Sequence, residues 1–335
     1  MKILIAPDSF KESLSALEVA NSIEKGILKF KPDMECLKIP LADGGEGTVD
    51  AVLKATGGER IAVKVMDPLM REIESYFGLL PDSKTAIIEM AAASGLELLS
   101  VEERNPLLTT SYGTGQLIKA ALEHGCSKIY IGIGGSATND GGAGMAMALG
   151  AGLLGTNGDN IRMGGGYLSD LHSIDLSGFE KRASDSEFIV LSDVQNRLCG
   201  KNGASYIYGP QKGADPEMIE QLDSNLRHFG NILEIFFEKE IVNEPGAGAA
   251  GGLGAGLMAF CNAKLLPGFN TISELVQLDK AIEESDLVIT GEGKLDYQTK
   301  FGKVPFGVAQ MAKKMKKPVI GIAGTLGKDY KELFS

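Results

Sequence analysis

The sequence predicts an α/β protein built from two α/β domains, and three observations predict it. Short apolar runs without clean alternation recur next to helical patterns: Lys2 to Ala6, Leu287 to Thr290 and Val319 to Ala323. Such runs suit parallel strands covered on both faces. These matching runs lie at the two ends of the chain. Between residues 59 and 93, three strand-like runs follow one another with no helix between them, which implies an antiparallel meander. Residues 1–58 with 270–335 are therefore read as a discontinuous Rossmann/flavodoxin-like parallel-sheet domain. Residues 59–269 are read as a mixed-sheet domain carrying the main Gly-rich motifs, and an interdomain cleft is the default ligand site. The length of 335 residues fits two domains at roughly 150 residues each.

The elements follow in order. Pro7 breaks the first strand, and Ser15 caps a helix over 17–29 with Val19, Ile23, Ile27 and Leu28 on its apolar face. A second strand, Cys36 to Leu41, leads through a Gly-rich loop into a helix from Val49 to Ala55. The meander strands are 61–65, 74–78 and 85–89, with Pro81-Asp82 as one turn. Alternation resumes with a helix over 114–124, a strand over 129–133 and a Gly-rich turn into a helix over 145–149. After a looser stretch comes a strand at 188–192, then one long amphipathic helix from Asp215 to Lys239. Glycines crowd 245–256, and the chain closes with strand 287–290, helix 304–314 and strand 319–323.

Composition narrows the function. The chain has 44 acidic and 33 basic residues, a net charge of −11 and a pI near 5.0, which disfavours a nucleic-acid partner. The absence of Trp and an aromatic share of 6% argue against a base-stacking surface. A hydrophobic share of 44% can fill a sizeable core. Cys36, Cys126, Cys199 and Cys261 are far apart with no CxxC pair, so a disulfide scaffold and a structural zinc site are both disfavoured. No stretch approaches the ~18 apolar residues of a membrane span, and the N-terminal apolar run is too short for a signal peptide. A cytoplasmic location is expected. Glycine is in excess: 44 of 335 is about 13%, against a usual value near 7%. The glycines cluster with Asp, Asn, Ser, Thr and Lys, as they do where a ligand lies against bare backbone.

The three histidines, His124, His172 and His228, lie outside the Gly clusters, which leaves a His triad or His-based metal site little support. GxSxG, HExxH and Walker A patterns are absent. What remains is Asp, Glu, Lys, Ser, Thr, Asn and backbone amides, a set suited to phosphoryl transfer, which needs positioning and charge neutralisation. The stretch Ile131 to Gly144 follows a strand and opens a helix. Its Gly134 and Gly135 let amides converge on an anion, Ser136, Thr138 and Asn139 add side-chain donors, and Asp140 suits Mg²⁺ or a hydroxyl proton. A tight turn with a polar cap is the alternative reading. Pro245 to Gly256 contains a formal GxGxxG without a preceding strand; Gly248 and Gly251 cradle a phosphate there or let a helix approach a neighbour closely.

Strand C-terminal ends supply the other candidates. They are Asp8, Ser9 and Lys11 after the first strand, Asp43, Glu46 and Thr48 after the second, and Glu292, Lys294, Asp296, Gln298 and Lys303 after the strand at 287–290. Asp193, after strand 188–192, and Lys212, in its loop, fit the same rule. Cys199 and Met145 are read as packing.

Together, the segments Ala6–Lys11, Leu41–Thr48, Gly132–Gly144, Gly209–Ala214, Pro245–Gly254 and Thr290–Thr299 resemble the bacterial type-1 glycerate kinases, in order as far as Gly324. The resemblance implies ATP-dependent phosphorylation of glycerate to phosphoglycerate with Mg²⁺, 2-phosphoglycerate being favoured, and two α/β domains with a cleft. A homodimer is left open. The family usually continues for a further helical stretch beyond Tyr330–Ser335, so the chain reads as truncated or as a short member. Lys294 stands where relatives often have Arg, which keeps the charge but not a bidentate grip. On this reading glycerate's carboxylate meets Lys and backbone amides. Asp140 or Asp193 takes the hydroxyl proton and is a candidate Mg²⁺ ligand, and a lysine such as Lys11 or Lys294 neutralises the transferred group. Asp140→Asn is expected to lower kcat without unfolding the chain. A nucleotide-cofactor oxidoreductase and a non-catalytic small-molecule binding protein are the alternatives.

Overall fold

The computed structural model describes every residue except 12, 297, 298, 300–302 and 335. The described residues form twelve strands: β1 Lys2–Ile5, β2 Glu35–Lys38, β3 Glu59–Met66, β4 Glu72–Leu79, β5 Thr85–Glu89, β6 Lys128–Gly132, β7 Gly152–Leu154, β8 Ser173–Asp175, β9 Glu187–Leu191, β10 Lys264–Leu266, β11 Leu287–Leu295 and β12 Val319–Leu326. The chain divides into two compact units, Met1–Glu59 with Leu266–Ser335, and Arg60–Leu265.

In the unit made from both chain ends, a four-stranded sheet has the order β12-β11-β1-β2 and is parallel throughout. Ile3, Ile5, Ala20 and Ile289 form an apolar cluster against one face, with Ile23 and Ile27 beside it. The helix Ala16–Phe30 begins in a capping box: the Glu18 amide donates to Ser15 Oγ, and the Ser15 amide donates to the Glu18 carboxylate at 2.8 Å. Because the strands are parallel, all their carboxyl ends lie along one edge. β1 is flanked by β2 on one side and β11 on the other, so the chain order reverses between β1 and β11. Open α/β sheets bind ligands at such a switch point.

The other unit holds a six-stranded sheet, β10-β9-β6-β5-β4-β3. β5, β6 and β9 are mutually parallel, whereas β4 runs antiparallel to β5, which makes the sheet mixed. Its core includes Phe77, Ile88, Leu117, Ile129, Ile131, Phe188 and Val190. The long helix is Pro216–Phe237, opened by Asp215, whose side chain accepts from the Met218 amide at 2.8 Å.

Several elements differ from the sequence reading. The looser stretch before β9 contains the antiparallel pair β7–β8. The glycine crowd runs into a helix, Leu253–Phe260, all of whose residues are buried, so it has no polar face to betray it. Two helices, Gly268–Leu275 and Leu278–Glu283, were not anticipated. β11 continues to Leu295 rather than ending at Thr290, because its ladder with β12 carries it through Gly291 and Gly293. Among the described residues, no helix is long and apolar enough to cross a membrane.

Candidate active site

At the switch point, the Asp8 amide donates to the Gly291 carbonyl at 2.8 Å, and Thr290 Oγ1 donates to the Ala6 carbonyl at 2.7 Å. These bonds tie the end of β1 to β11 and bring Asp8 close to Glu292. Asp8 is only 8% exposed. Burial pushes its carboxyl up to about 7, and the charges of Asp43 and Glu292 add to the rise, while the Ser9 amide and Lys11 oppose it. The Ser9 amide donates to Asp8 Oδ1 at 2.7 Å. Glu292 is itself buried and held: Thr299 Oγ1 donates to Oε1 at 2.7 Å, and Lys303 Nζ donates to Oε2 at 3.2 Å. A partly buried carboxyl with a value near neutrality can exchange a proton at working pH, which a carboxyl at its ordinary value does poorly.

Other predicted residues of this unit have different roles. Thr48 is fully buried and its hydroxyl donates to the Gly45 carbonyl at 2.7 Å, closing the turn into the helix Thr48–Thr56. Glu46 and Lys11 are exposed. Lys294 lies on β11 with its side chain largely exposed and pairs with Asp296 at 3.3 Å. Gln298 lies outside the described residues. Gly268, not anticipated, packs where a Cβ would stand 1.9 Å from the Asp43 carbonyl oxygen, so the helix it opens presses directly on the Asp43 backbone.

In the other unit, the turn after β6 is more deeply enclosed. Asp140 is fully buried. Its Oδ2 accepts from the Ser111 amide at 2.8 Å, Ser111 Oγ at 2.9 Å, Thr110 Oγ1 at 3.2 Å and the Gly144 amide at 3.2 Å, and its Oδ1 accepts from the Gly142 amide at 3.2 Å. The carboxylate thus fastens the start of the helix Ala143–Ala148 to the start of the helix Tyr112–Glu123. Its two oxygens are engaged by five donors inside the fold.

Lys212 is 1% exposed. Its amine donates to Ser136 Oγ at 2.8 Å and to the Thr138 carbonyl at 2.6 Å. Burial pushes the amine down to about 7, with Asp140 opposing the fall. Asn139 Nδ2 donates to Ser205 Oγ at 3.0 Å, whereas Asn139 Oδ1 and Thr138 Oγ1 are buried without a hydrogen-bond partner. Gly135 is exposed at the turn's surface and Gly134 is half-buried beside it. Thr110, Ser111 and Ser205 were missed by sequence reasoning; Thr110 and Ser111 stand in the run Thr109-Thr110-Ser111 directly before the helix Tyr112–Glu123, a polar start signal that could have marked them, and Ser205 has no such run around it.

The glycine crowd serves this turn. Gly251 has φ +68°, and a Cβ there would lie 1.9 Å from the Thr138 carbonyl oxygen. A Cβ on Gly248 would lie 2.2 Å from the Arg197 carbonyl oxygen. Both positions show the close backbone approach that the sequence left as one of two readings. Asp193 follows β9 and is exposed. Cys199 has its thiol pushed up to about 12, mainly by burial, which fits a packing role.

Comparison with known proteins decides the family. The sequence profile of the glycerate kinase family matches residues 3–335. The chain belongs to the glycerate kinase family. It is 54% identical over 329 residues to the glycerate 2-kinase of Escherichia coli K12, covering 98% of this chain and 86% of that one. It is 52% identical over 332 residues to the glycerate kinase of Halalkalibacterium halodurans, covering 99% of this chain and 87% of the relative. A crystal structure assigned to glycerate kinase 2 of Salmonella typhimurium LT2 superposes with a TM-score of 0.90 at 51% identity, covering 98% of this chain and 90% of that one. These likenesses bear out the mixed α/β fold and the kinase class, and they give no support to the oxidoreductase or non-catalytic readings. The GxGxxG at 246–251 also lies in a turn with no strand before it.

Proposed function

We propose that this chain phosphorylates glycerate with ATP, and that it acts on the 2-hydroxyl. Membership of the family supports the reaction, and the 54%-identical E. coli glycerate 2-kinase supports the position. In geometric terms one observation carries the reading: Asp8, at the β1/β11 switch point, is a largely buried carboxyl raised to about 7. Asp8 accepts the proton of the glycerate hydroxyl as that oxygen bonds to the γ-phosphorus and ADP departs. This replaces the sequence-based choice of Asp140, which we assign to organising its turn. The turn Gly132–Gly144 takes an anionic group of a substrate on its amides and on Ser136.

The donor set tests Mg²⁺ unevenly. Among the described residues, no group of three or more His, Cys, Asp or Glu is placed to hold a metal. Mg²⁺ needs fewer, since it keeps waters and shares one or two carboxylates with substrate phosphates. Asp140 does not fit, its oxygens being filled by donors. Asp193, an exposed carboxylate at a strand end, would be the side chain that shares the ion with waters and substrate phosphates. Bound there, Mg²⁺ would neutralise polyphosphate charge. The four cysteines are free thiols, which supports a reducing, cytoplasmic setting.

The test is an ADP-release assay with D-glycerate, ATP and Mg²⁺, with NMR of the product. Glycerate-dependent ADP release with phosphorus coupled to the C2 proton is expected. Coupling to the C3 protons would move the site of transfer, and silence from folded protein would overturn the kinase reading.

A further inference from the structure

We propose that Lys212 is a positioning residue that acts through Ser136, turning a serine hydroxyl into a charge-backed donor for a substrate oxyanion. The inference rests on the kinase reading and deepens it at the turn Gly132–Gly144.

The Lys212 amine is enclosed by protein, and its partners are two uncharged oxygens, Ser136 Oγ and the Thr138 carbonyl. A buried amine whose partners are uncharged is unfavourable for stability alone. Its location directs what it can do. Ser136 Oγ accepts from the amine, so the hydroxyl proton is left to donate elsewhere, and Ser136 donates to no described residue. Ser136 is 7% exposed and directly follows exposed Gly135, so it lies one residue in from the turn's surface, whereas Lys212 is 1% exposed. When the amine is protonated, which burial makes only partial near pH 7, the hydroxyl that accepts from it is polarised into a stronger donor itself. The carbonyl of Thr138, held by the same amine, fixes the backbone that carries the neighbouring amides.

A second observation separates this turn from a finished structural cap. Thr138 Oγ1, a hydroxyl that can donate, is buried without a partner two residues after Ser136, whereas the unpartnered Asn139 Oδ1 only accepts and would take no bond from an oxyanion. Buried polar atoms are nearly always satisfied, and exceptions gather where something else binds. The ligand chemistry is an oxyanion, which glycerate supplies as a carboxylate and ATP as a phosphate.

The test is steady-state kinetics on the full chain for wild type, S136A, S136T, K212M and the S136A/K212M double variant, with KM measured separately for glycerate and for ATP. S136A and K212M should each raise the KM of the same substrate by about tenfold or more, the loss typical of a hydrogen bond to a charged group. kcat should fall less than that KM rises. The double variant should be no worse than the worse single one, because the pair acts as a unit, and S136T should restore most of the affinity. The substrate whose KM moves identifies the oxyanion as carboxylate or phosphate. Unchanged KM values in S136A, or losses that multiply in the double variant, would overturn the relay. If K212M does not fold, the S136A and S136T comparison decides alone. If wild type shows no glycerate-dependent ADP release, the kinase reading fails first; the relay is then read from the thermal shift produced by inorganic phosphate, expected in wild type and lost in S136A.

Discussion

The two units treat an acid at the end of a parallel strand in opposite ways. After β6, Asp140 is sealed from solvent and supplied with five donors, so its charge is an asset to the fold. After β1, Asp8 has one amide donor, two neighbouring carboxylates and a dry setting, so its charge is a liability to the fold. The same residue type, placed after a parallel strand in each unit, is thus held by five donors in one and by one amide, with its carboxyl raised to about 7, in the other. Donor count separates the two cases.

The largest effect that would break this contrast is at Asp140. Asp140→Asn puts an amide nitrogen among groups that donate, or crowds their protons onto one oxygen. A loss of roughly 3–5 kcal/mol is expected, as for a buried charged network deprived of one partner. Chemical denaturation checks it, and a fully stable but inactive variant would return Asp140 to the catalytic list.

Asp8→Asn should do the reverse. The folded-state value of Asp8 lies above the ordinary carboxylate range, so the folded protein holds that proton more tightly than the unfolded chain does. Between roughly pH 4 and 7 stability therefore falls as pH rises, and above about 7 the full burden is present. Asn removes it, so the variant should melt higher than wild type at pH 8, by a few kcal/mol at most, and not at pH 4. Its kcat should drop about 10²–10⁴-fold, the usual contribution of a general base. Wild-type kcat should fall as pH drops below about 7 while Asp8 takes up its proton. A melting temperature equally unmoved at both pH values would dissolve the contrast.

The smallest effect is expected at Lys294. Its ion pair with Asp296 is on an exposed side chain, and Lys294→Ala should change stability by less than about 1 kcal/mol. A large fall in kcat at unchanged stability would sharpen the contrast, by adding a cation to the acid-rich edge.

Much of this was legible in the residues, for identifiable reasons. The helix read at 304–314 is Val304–Lys314, and the long helix read over 215–239 is Pro216–Phe237. Both depend on local periodicity and capping. The acids at the strand ends were also legible, because β-to-α loops are short and carry their polar residues there. What separates Asp8 from Asp140 was not. Asp8 is raised first by burial, then by Asp43 and Glu292, and Glu292 lies far along the chain and becomes a neighbour only through the pairing of β1 with β11. Three of the five donors to Asp140 come from Thr110 and Ser111, 30 and 29 residues earlier. Likewise the ladder with β12, not the local residues Gly-Glu-Gly-Lys, extends β11 past Thr290.

The pairing of Ile3 with Leu287 has a consequence for the order of assembly. A chain leaving the ribosome exposes β1 and β2 first, yet β1 lacks one lateral neighbour until β11 has been made. The segment Arg60–Leu265 is complete well before that and can collapse as its own unit. Closing a loop of that length is entropically slow when the chain is loose, and a folded insert shortens the effective loop. The early strands therefore wait as an open edge, the state in which chains associate wrongly. Refolding should show a fast phase from the continuous unit and a slower one from the parallel four-stranded sheet.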